Sequence, residues 1–319
     1  MYAETLIFED ASDRPSHHCA SMAELPNGDL LCVWYAGSRE GAADVALMMA
    51  RWGRAEARWS APRVLLDTPG RPDGNAVIHL DSGGKLWLFH DVIQGRGWDS
   101  ALLYLRTSED GGITWTEPVL MDEAPGMMVR NSLLVLASGE WLLPAYDERT
   151  WRSFCYISGD AGASWQRGGL MPSPVPVIQP ALIQRDDGSL LAYLRTGAED
   201  HHIRASISAN CGRSWSPCLP TELRNPNSGI DMVRLQSGEI LLVFNNVTEG
   251  RTPLHVAVST DEGRTWPLTR VLETGPGEFS YPCVIQSHTG RIHLVYTYDR
   301  RSIKHVQFDS QWLNGVARS

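Results

Sequence analysis

Apolar and polar positions along this chain alternate in short runs, and the runs come in pairs joined by tight glycine turns. LPNGDLL (25–31), LDSGGKLWLF (80–89), LASGEWLLPAY (136–146), RDDGSLLAYL (185–194), LQSGEILLVF (235–244) and SHTGRIHLVY (287–296) each set a polar turn between apolar or alternating flanks. This is the pattern of a β-hairpin, and it occurs six times. A second series interleaves with the first: SEDGGITW (108–115), SGDAGASW (158–165), SANCGRSW (208–215) and STDEGRTW (259–266), with a worn copy in ARWGRAEARW ending at Trp59. The tryptophans Trp115, Trp165, Trp215 and Trp266 stand 50, 50 and 51 residues apart.

A period of about 50 residues built from hairpins predicts a propeller, in which each four-stranded blade buries its faces against its neighbours. Six hairpins predict an all-β, six-bladed β-propeller occupying residues 1–319 as a single domain. After SHTGRIHLVY only SIKHVQF remains to form a further strand, so the last blade is expected to take its fourth strand from the N-terminal TLIFED. That closure removes the exposed edges of the ring. In the SxDxGxTW turns the aspartate can accept backbone N–H bonds of its own loop and glycine can supply a positive φ, so Asp110, Asp160 and Asp261 are expected to build the fold.

Composition narrows the function. Hydrophobic residues at 43% and charged residues at 20% describe an ordinary folded protein with ample core. A net charge of -9 with no basic stripe argues against nucleic acid and against an anionic membrane surface as partners. The N-terminus MYAETLIFEDASDRPSHH has no positive, then apolar, leader pattern, and no apolar run approaches the ~20 residues that span a bilayer; a cytoplasmic location is the expectation. Cys19, Cys32, Cys155, Cys211, Cys218 and Cys283 lack paired spacing and are expected to be small buried hydrophobes. His17, His18, His79, His90, His201, His202 and His255 show no consistent ligand spacing, so neither a metal nor another cofactor is expected.

Propeller topology gathers the starts of the first strands and the ends of the second strands on one rim. That rim collects His18, Arg39, Glu40, Asp44, Asn75, Arg130, Asn131, Glu148, Gln179, Arg195, Asn227, Asp231, Tyr281, Tyr298 and Arg300, a mixture of arginines, carboxylates, amides and aromatics suited to a ligand mouth. Arg130, Arg195 and Arg300 can clamp a carboxylate through paired N–H donors, which points to an acidic sugar; the same arginines can instead pair with Glu148 or Asp231 to hold loops. Glu40 and Asp44 can divide acid and base work as glycosidase carboxylates do, or bridge to Arg39. His18 can exchange a proton near neutral pH.

The Ser-x-Asp-x-Gly-x-Thr-Trp repeats resemble the Asp boxes, or BNR repeats, of the sialidase (neuraminidase) superfamily. HCASMAELPNGDLLCVWYAGSREGAADVAL, NPNSGIDMVRLQSGEILLVFNN and GEFSYPCVIQSHTGRIHLVYTYDRRSIKHV resemble its exo-α-sialidase-like branch. The resemblance implies a glycoside hydrolase acting on a terminal acidic or deoxy sugar of a glycan, with Tyr281 as nucleophile and Glu278 in support. It also implies a first-blade arginine, and the chain departs from it there, with PSHHCASM at that place. A histidine in that position resembles propeller enzymes that cleave rhamnose–glucuronate linkages, so a lyase or rhamnosidase on uronate-containing glycans, and a non-catalytic carbohydrate-binding propeller, stand as the alternatives.

Overall fold

The computed structural model describes residues 1–9 and 13–315. Its strands form six small antiparallel sheets arranged as the blades of a propeller. Blade 1 runs Ser16–Glu24, Leu30–Gly37, Ala46–Gly53 and Arg58–Trp59, with Arg63–Leu66 also paired to its third strand. Blade 2 uses Asp73–Leu80, Leu86–Ile93, Ala101–Ser108 and Val119–Asp122. In blade 3 the inner strand is broken into Met127–Val129 and Leu134–Val135, followed by Trp141–Asp147, Arg152–Ser158 and Gln166–Arg167. Blade 4 comprises Val177–Gln184, Leu190–Thr196, His202–Ser208 and Leu219–Arg224, and blade 5 comprises Asp231–Arg234, Ile240–Phe244, Leu254–Ser259 and Leu268–Glu273.

Blade 6 takes three strands from the end of the chain, Phe279–Gln286, Ile292–Tyr298 and Ser302–Phe308, and its fourth, Tyr2–Leu6, from the beginning. Tyr2 pairs with Phe308 and Leu6 with Lys304. The closing strand thus starts three residues earlier than TLIFED suggested; Asp10 lies outside the described residues.

The apolar pattern of the second strands follows from their position, since each is covered on both faces by neighbouring blades. Leu31 and Val33 of blade 1 pack with Ile78, Leu86 and Leu88 of blade 2, and at the closing seam Cys32 and Trp34 pack with Cys283, Val295 and Ile303 of blade 6. The Asp-box turns lock these contacts. Asp110 accepts hydrogen bonds from Ile113 N (3.0 Å), Thr114 N (2.9 Å), Thr114 Oγ1 (2.6 Å) and Ser108 Oγ (2.8 Å). Those bonds, the Thr114 hydroxyl foremost, hold its carboxyl down at about 2. Gly112 within the turn has φ +86°, and a Cβ there would lie 2.9 Å from Leu31 of the adjacent blade. Asn210 substitutes for the aspartate in the third box and accepts from Ser214 N at 2.8 Å. Five cysteines are buried, Cys211 is half-buried, and all six are free thiols.

Candidate functional site

The inner strands of blades 1, 4 and 6 share a local irregularity. Their registers run His18 opposite Tyr35 then Ser21 opposite Val33, Ile178 opposite Arg195 then Ala181 opposite Tyr193, and Ser280 opposite Thr297 then Cys283 opposite Val295. Each therefore holds one extra residue, a β-bulge, which re-aims a side chain out of strict alternation. One residue in each bulge adopts the left-handed region: Cys19 (φ 60°), Gln179 (φ 55°) and Tyr281 (φ 53°). For a residue with a Cβ this costs on the order of 1 kcal/mol or more. In blades 4 and 6 the result is that Gln179 and Tyr281 turn into a hollow at the mouth of the ring.

The hollow holds about 200 Å³. Its polar wall is Glu40, Asn75, Glu148, Gln179, Arg195, Arg251, Tyr281 and Arg300, and its apolar wall Tyr35, Trp98, Met128, Tyr146, Trp151 and Ile178. Arg195 Nη1 donates to the Tyr281 hydroxyl (2.5 Å) and to Gln179 Oε1 (3.2 Å), while its Nε donates to Asn227 Oδ1 (2.6 Å). Arg251 Nη1 donates to Glu278 Oε1 (2.7 Å), and Arg300 Nε to Glu278 Oε2 (2.9 Å). Arg300 also pairs with Glu40. The guanidinium carbons of Arg251, Arg130 and Arg195 lie 5.2, 5.4 and 5.7 Å from the Tyr281 ring centre, within cation–π range.

This arrangement is electropositive. The three lining guanidiniums face Glu278 and Glu40 as paired carboxylates, and the partners of Arg195 are two amides and a phenol. Burial pushes the other carboxyl of the wall, Glu148, up to about 7 despite the opposing charge of Arg195, so near neutral pH it exchanges between its protonated and ionised forms. Burial also works against ionised Glu278, but the Ser280 hydroxyl and the charges of Arg251 and Arg300 outweigh it and hold its carboxyl below the usual range.

Of the residues expected at the rim, Glu40, Asn75, Glu148, Gln179, Arg195, Tyr281 and Arg300 meet in this hollow. A second group lies beneath it. The His18 ring packs 4.2 Å from the Tyr281 ring and shares a hydrogen bond with Thr297 Oγ1 (2.9 Å); burial, then the charges of Arg300 and Arg251, hold it neutral. Arg130 Nη1 donates to Asn131 Oδ1 (2.6 Å), and Asn131 Nδ2 donates to the Gln179 carbonyl (3.0 Å). Asn227 stands behind Arg195.

Four placements correct the sequence expectation. Asp44 does not share the hollow with Glu40: its carboxylate clasps its own loop, accepting from Ser38 N (3.0 Å) and Ser38 Oγ (2.9 Å), because a short polar loop satisfies its donors locally. Arg39, on the same loop, is exposed and outside the lining. Tyr298 packs its ring against Phe279 (5.2 Å) in the blade 5 and 6 core. Asp231 lines a separate cavity of about 750 Å³ at the other end of the channel, where Val284 N donates to its Oδ2 (2.8 Å) and burial raises it to about 6. The inner strand of blade 5 begins only at Asp231, which sets that residue deeper than a rim position.

The pattern of the BNR repeat-like domain matches residues 28–294. The chain belongs to this family. It is a sialidase-like BNR repeat protein of the neuraminidase superfamily. A sialidase of Micromonospora viridifaciens is 23% identical across 95% of this chain, which spans 53% of that longer protein. The Hadza microbial sialidase Hz136 superposes with a TM-score of 0.82 over 97% of this chain and 69% of its own, at 17% identity. The intramolecular trans-sialidase of Ruminococcus gnavus, solved in complex with oseltamivir carboxylate, does so with a TM-score of 0.80 over 97% and 98% at 15% identity. At these identities the solved structures bear on the fold of this BNR repeat protein and not on its substrate.

Sequence reasoning missed Arg251, Trp98 and Trp151 in the hollow, and it met Glu278 only through resemblance. Arg251 and Trp98 sit in loops between second and third strands, several residues past the strand end. Those are the loops that also supply Glu40, Glu148, Trp151 and Arg300. Extending the rim to the whole of each such loop is the signal that would have found them.

Proposed function

We propose that this BNR repeat protein is a glycoside hydrolase that removes a terminal, carboxylate-bearing sugar from a glycan. The observation that carries this reading is the convergence of Arg195, Arg251 and Arg300, from blades 4, 5 and 6, on the hollow that holds the Tyr281 hydroxyl. Guanidinium groups offer planar paired donors to a carboxylate, and the net positive charge of the hollow favours an anion. Trp98 and Trp151, which also line the hollow, offer apolar faces to the sugar ring.

In this reading the Tyr281 oxygen attacks the anomeric carbon while Glu148 donates its proton to the departing glycosidic oxygen. The C–O bond to the leaving group breaks as the tyrosyl–sugar bond forms, and the phenolic proton passes to water. A neutral phenol approaches a sugar carboxylate without the repulsion that a carboxylate nucleophile would meet. Water then attacks the same carbon, Glu148 recovers a proton from it, and the released phenolate is reprotonated. The Arg195 N–H bond to the Tyr281 oxygen stabilises the phenolate released in the second step.

The test is a screen of the purified protein against aryl sialosides, aryl uronosides and aryl rhamnosides, with Tyr281→Phe alongside. Release of aglycone from an acidic glycoside, abolished in the variant, is expected. A product with an unsaturated, ultraviolet-absorbing sugar identifies a lyase instead, and no turnover of any acidic glycoside overturns the reading.

A further inference from the structure

On the face of the glycine turns, opposite the hollow, blade 6 meets blade 1 at a pocket of about 310 Å³ whose wall includes Glu24, Gly28, Arg54, Arg291 and His293. Its hydrogen-bond chemistry follows from one indole. Trp59 Nε1 lies 3.2 Å from His305 Nδ1, and His305 Nε2 lies 3.0 Å from His293 Nδ1. An indole N–H only donates, so His305 Nδ1 is an acceptor. Both rings are buried and neutral at pH 7, held down at about 3 for His305 and about 4 for His293, burial being the leading cause in each. The proton of His305 is therefore on Nε2 and is given to His293 Nδ1, which places the proton of His293 on Nε2. That nitrogen projects away from His305, from a ring only 4% exposed that forms part of the pocket wall.

Among the described residues the arginines of the wall have no carboxylate partner at hydrogen-bond distance. Arg291 Nη1 donates to the Met1 thioether at 3.0 Å, a weak acceptor, and Arg54 Nη1 lies 3.2 Å from His288 Nε2. Glu24, the carboxylate of the wall, already accepts from His288 N (2.8 Å) and His288 Nδ1 (2.6 Å). Arg54 is held in place by Gly28 (φ +82°), where a Cβ would stand 2.8 Å from its Cδ and Nη1. Two guanidiniums and an imidazole N–H thus face a space bounded by one engaged carboxylate.

We propose that this pocket binds a tetrahedral oxyanion, a phosphate or sulfate group, between Arg54 of blade 1 and Arg291 and His293 of blade 6. Such a ligand bridges the seam at which the ring closes, and it binds the closed fold in preference to the unfolded chain. It therefore raises the melting temperature by mass action.

The experiment is a thermal melt of the full chain in sodium phosphate, sodium sulfate, galactose 6-sulfate and sodium chloride at matched ionic strength, repeated with Arg54→Gln/Arg291→Gln. The wild type is expected to show a saturable rise, about 2 °C at ten times the dissociation constant, with the tetrahedral anions and not with chloride. The double variant is expected to lose that rise while melting at the wild-type temperature in chloride. A stronger response to galactose 6-sulfate than to the inorganic ions assigns the site to a decorated glycan, and an equal response assigns it to free oxyanion. Equal shifts in phosphate, sulfate and chloride, or a phosphate response retained by the double variant, overturn the proposal.

Discussion

Replacing Glu148 by glutamine separates the burial of this carboxyl from every other contribution to the hollow. The group moves from an ordinary value of 4.5 to about 7 on folding, chiefly through burial. Between those values the folded protein keeps a proton that the unfolded chain has lost, so stability falls as pH rises across that window and levels off above 7. The full interval corresponds to roughly 3 kcal/mol by linkage; Glu148 keeps some contact with solvent, which brings the figure to about 2 kcal/mol. For a chain of 319 residues, unfolding entropy of ~2.1 cal/mol/K per residue converts this to about 3 °C in melting temperature. Wild type and Glu148→Gln are therefore expected to melt together at pH 4, below both values, with the variant higher by about 3 °C at pH 8.5. The difference between the two proteins cancels the other titrating groups. In activity assays the wild type is expected to lose kcat/KM above pH 7 as the proton donor ionises, and the variant to be slower by about 10²-fold without that alkaline decline. A melting difference of the same size at both pH values would mean that Glu148 is ionised in the folded protein at neutrality, and the proton-donor role would fall with it.

Tyr281→Phe is expected to keep the fold and to lower kcat on an acidic glycoside by roughly 10³-fold or more, since the attacking oxygen is gone; activity within tenfold of wild type would remove Tyr281 from the chemistry. Arg251→Gln removes charged donors worth ~1.5–3 kcal/mol each, so kcat/KM on an anionic substrate is expected to fall about 10²-fold, with little change on an uncharged sugar analogue. Deleting residues 1–6 removes the ladder from Tyr2 to Leu6, and at ~1 kcal/mol net per bond the loss is on the order of 4 kcal/mol, or about 6 °C. The strand Ser302–Phe308 would then be an open edge, and concentration-dependent association by light scattering is the accompanying sign.

The ring itself was legible because its causes are local and repeated. A glycine turn between apolar flanks and an Asp-box turn such as Ser108 to Trp115 each satisfy their own backbone groups, and a fixed period then counts the blades. Tyr281 and Arg195 were legible for the same reason, as residues at defined offsets from a hairpin. What periodicity does not encode is depth. His18 and Arg130 occupy rim positions by count, yet the bulges that turn Gln179 and Tyr281 inward leave them below the Tyr281 ring. Nor does periodicity say whether a loop carboxylate finds a partner: Asp44 is spent on Ser38, while Glu40, four residues earlier, reaches across the seam between blades 1 and 6 to Arg300. Loops obey local hydrogen bonding first, and only the residues left over are available to a ligand.

The departure at the first blade has a structural counterpart. Where the superfamily resemblance implies an arginine, this chain has His18, a buried neutral ring, and blade 1 lends the hollow Tyr35 and Glu40. The third guanidinium comes instead from Arg300 in blade 6, held between Glu40 of blade 1 and Glu278 of its own blade. A propeller permits this exchange because six loops converge on one mouth, so charge can be delivered from any of them. The cost is rigidity of a particular kind: Arg300 is tied to two carboxylates, whereas Arg195 is tied to Asn227, Gln179 and Tyr281, groups without charge. A carboxylate entering the hollow competes with Glu40 and Glu278 for Arg300, whereas at Arg195 it competes with two amides, a phenol and the charge that Glu148 carries when ionised. In the proposed hydrolase, charge recognition therefore centres on Arg195, and Arg300 is expected to orient the sugar relative to Tyr281.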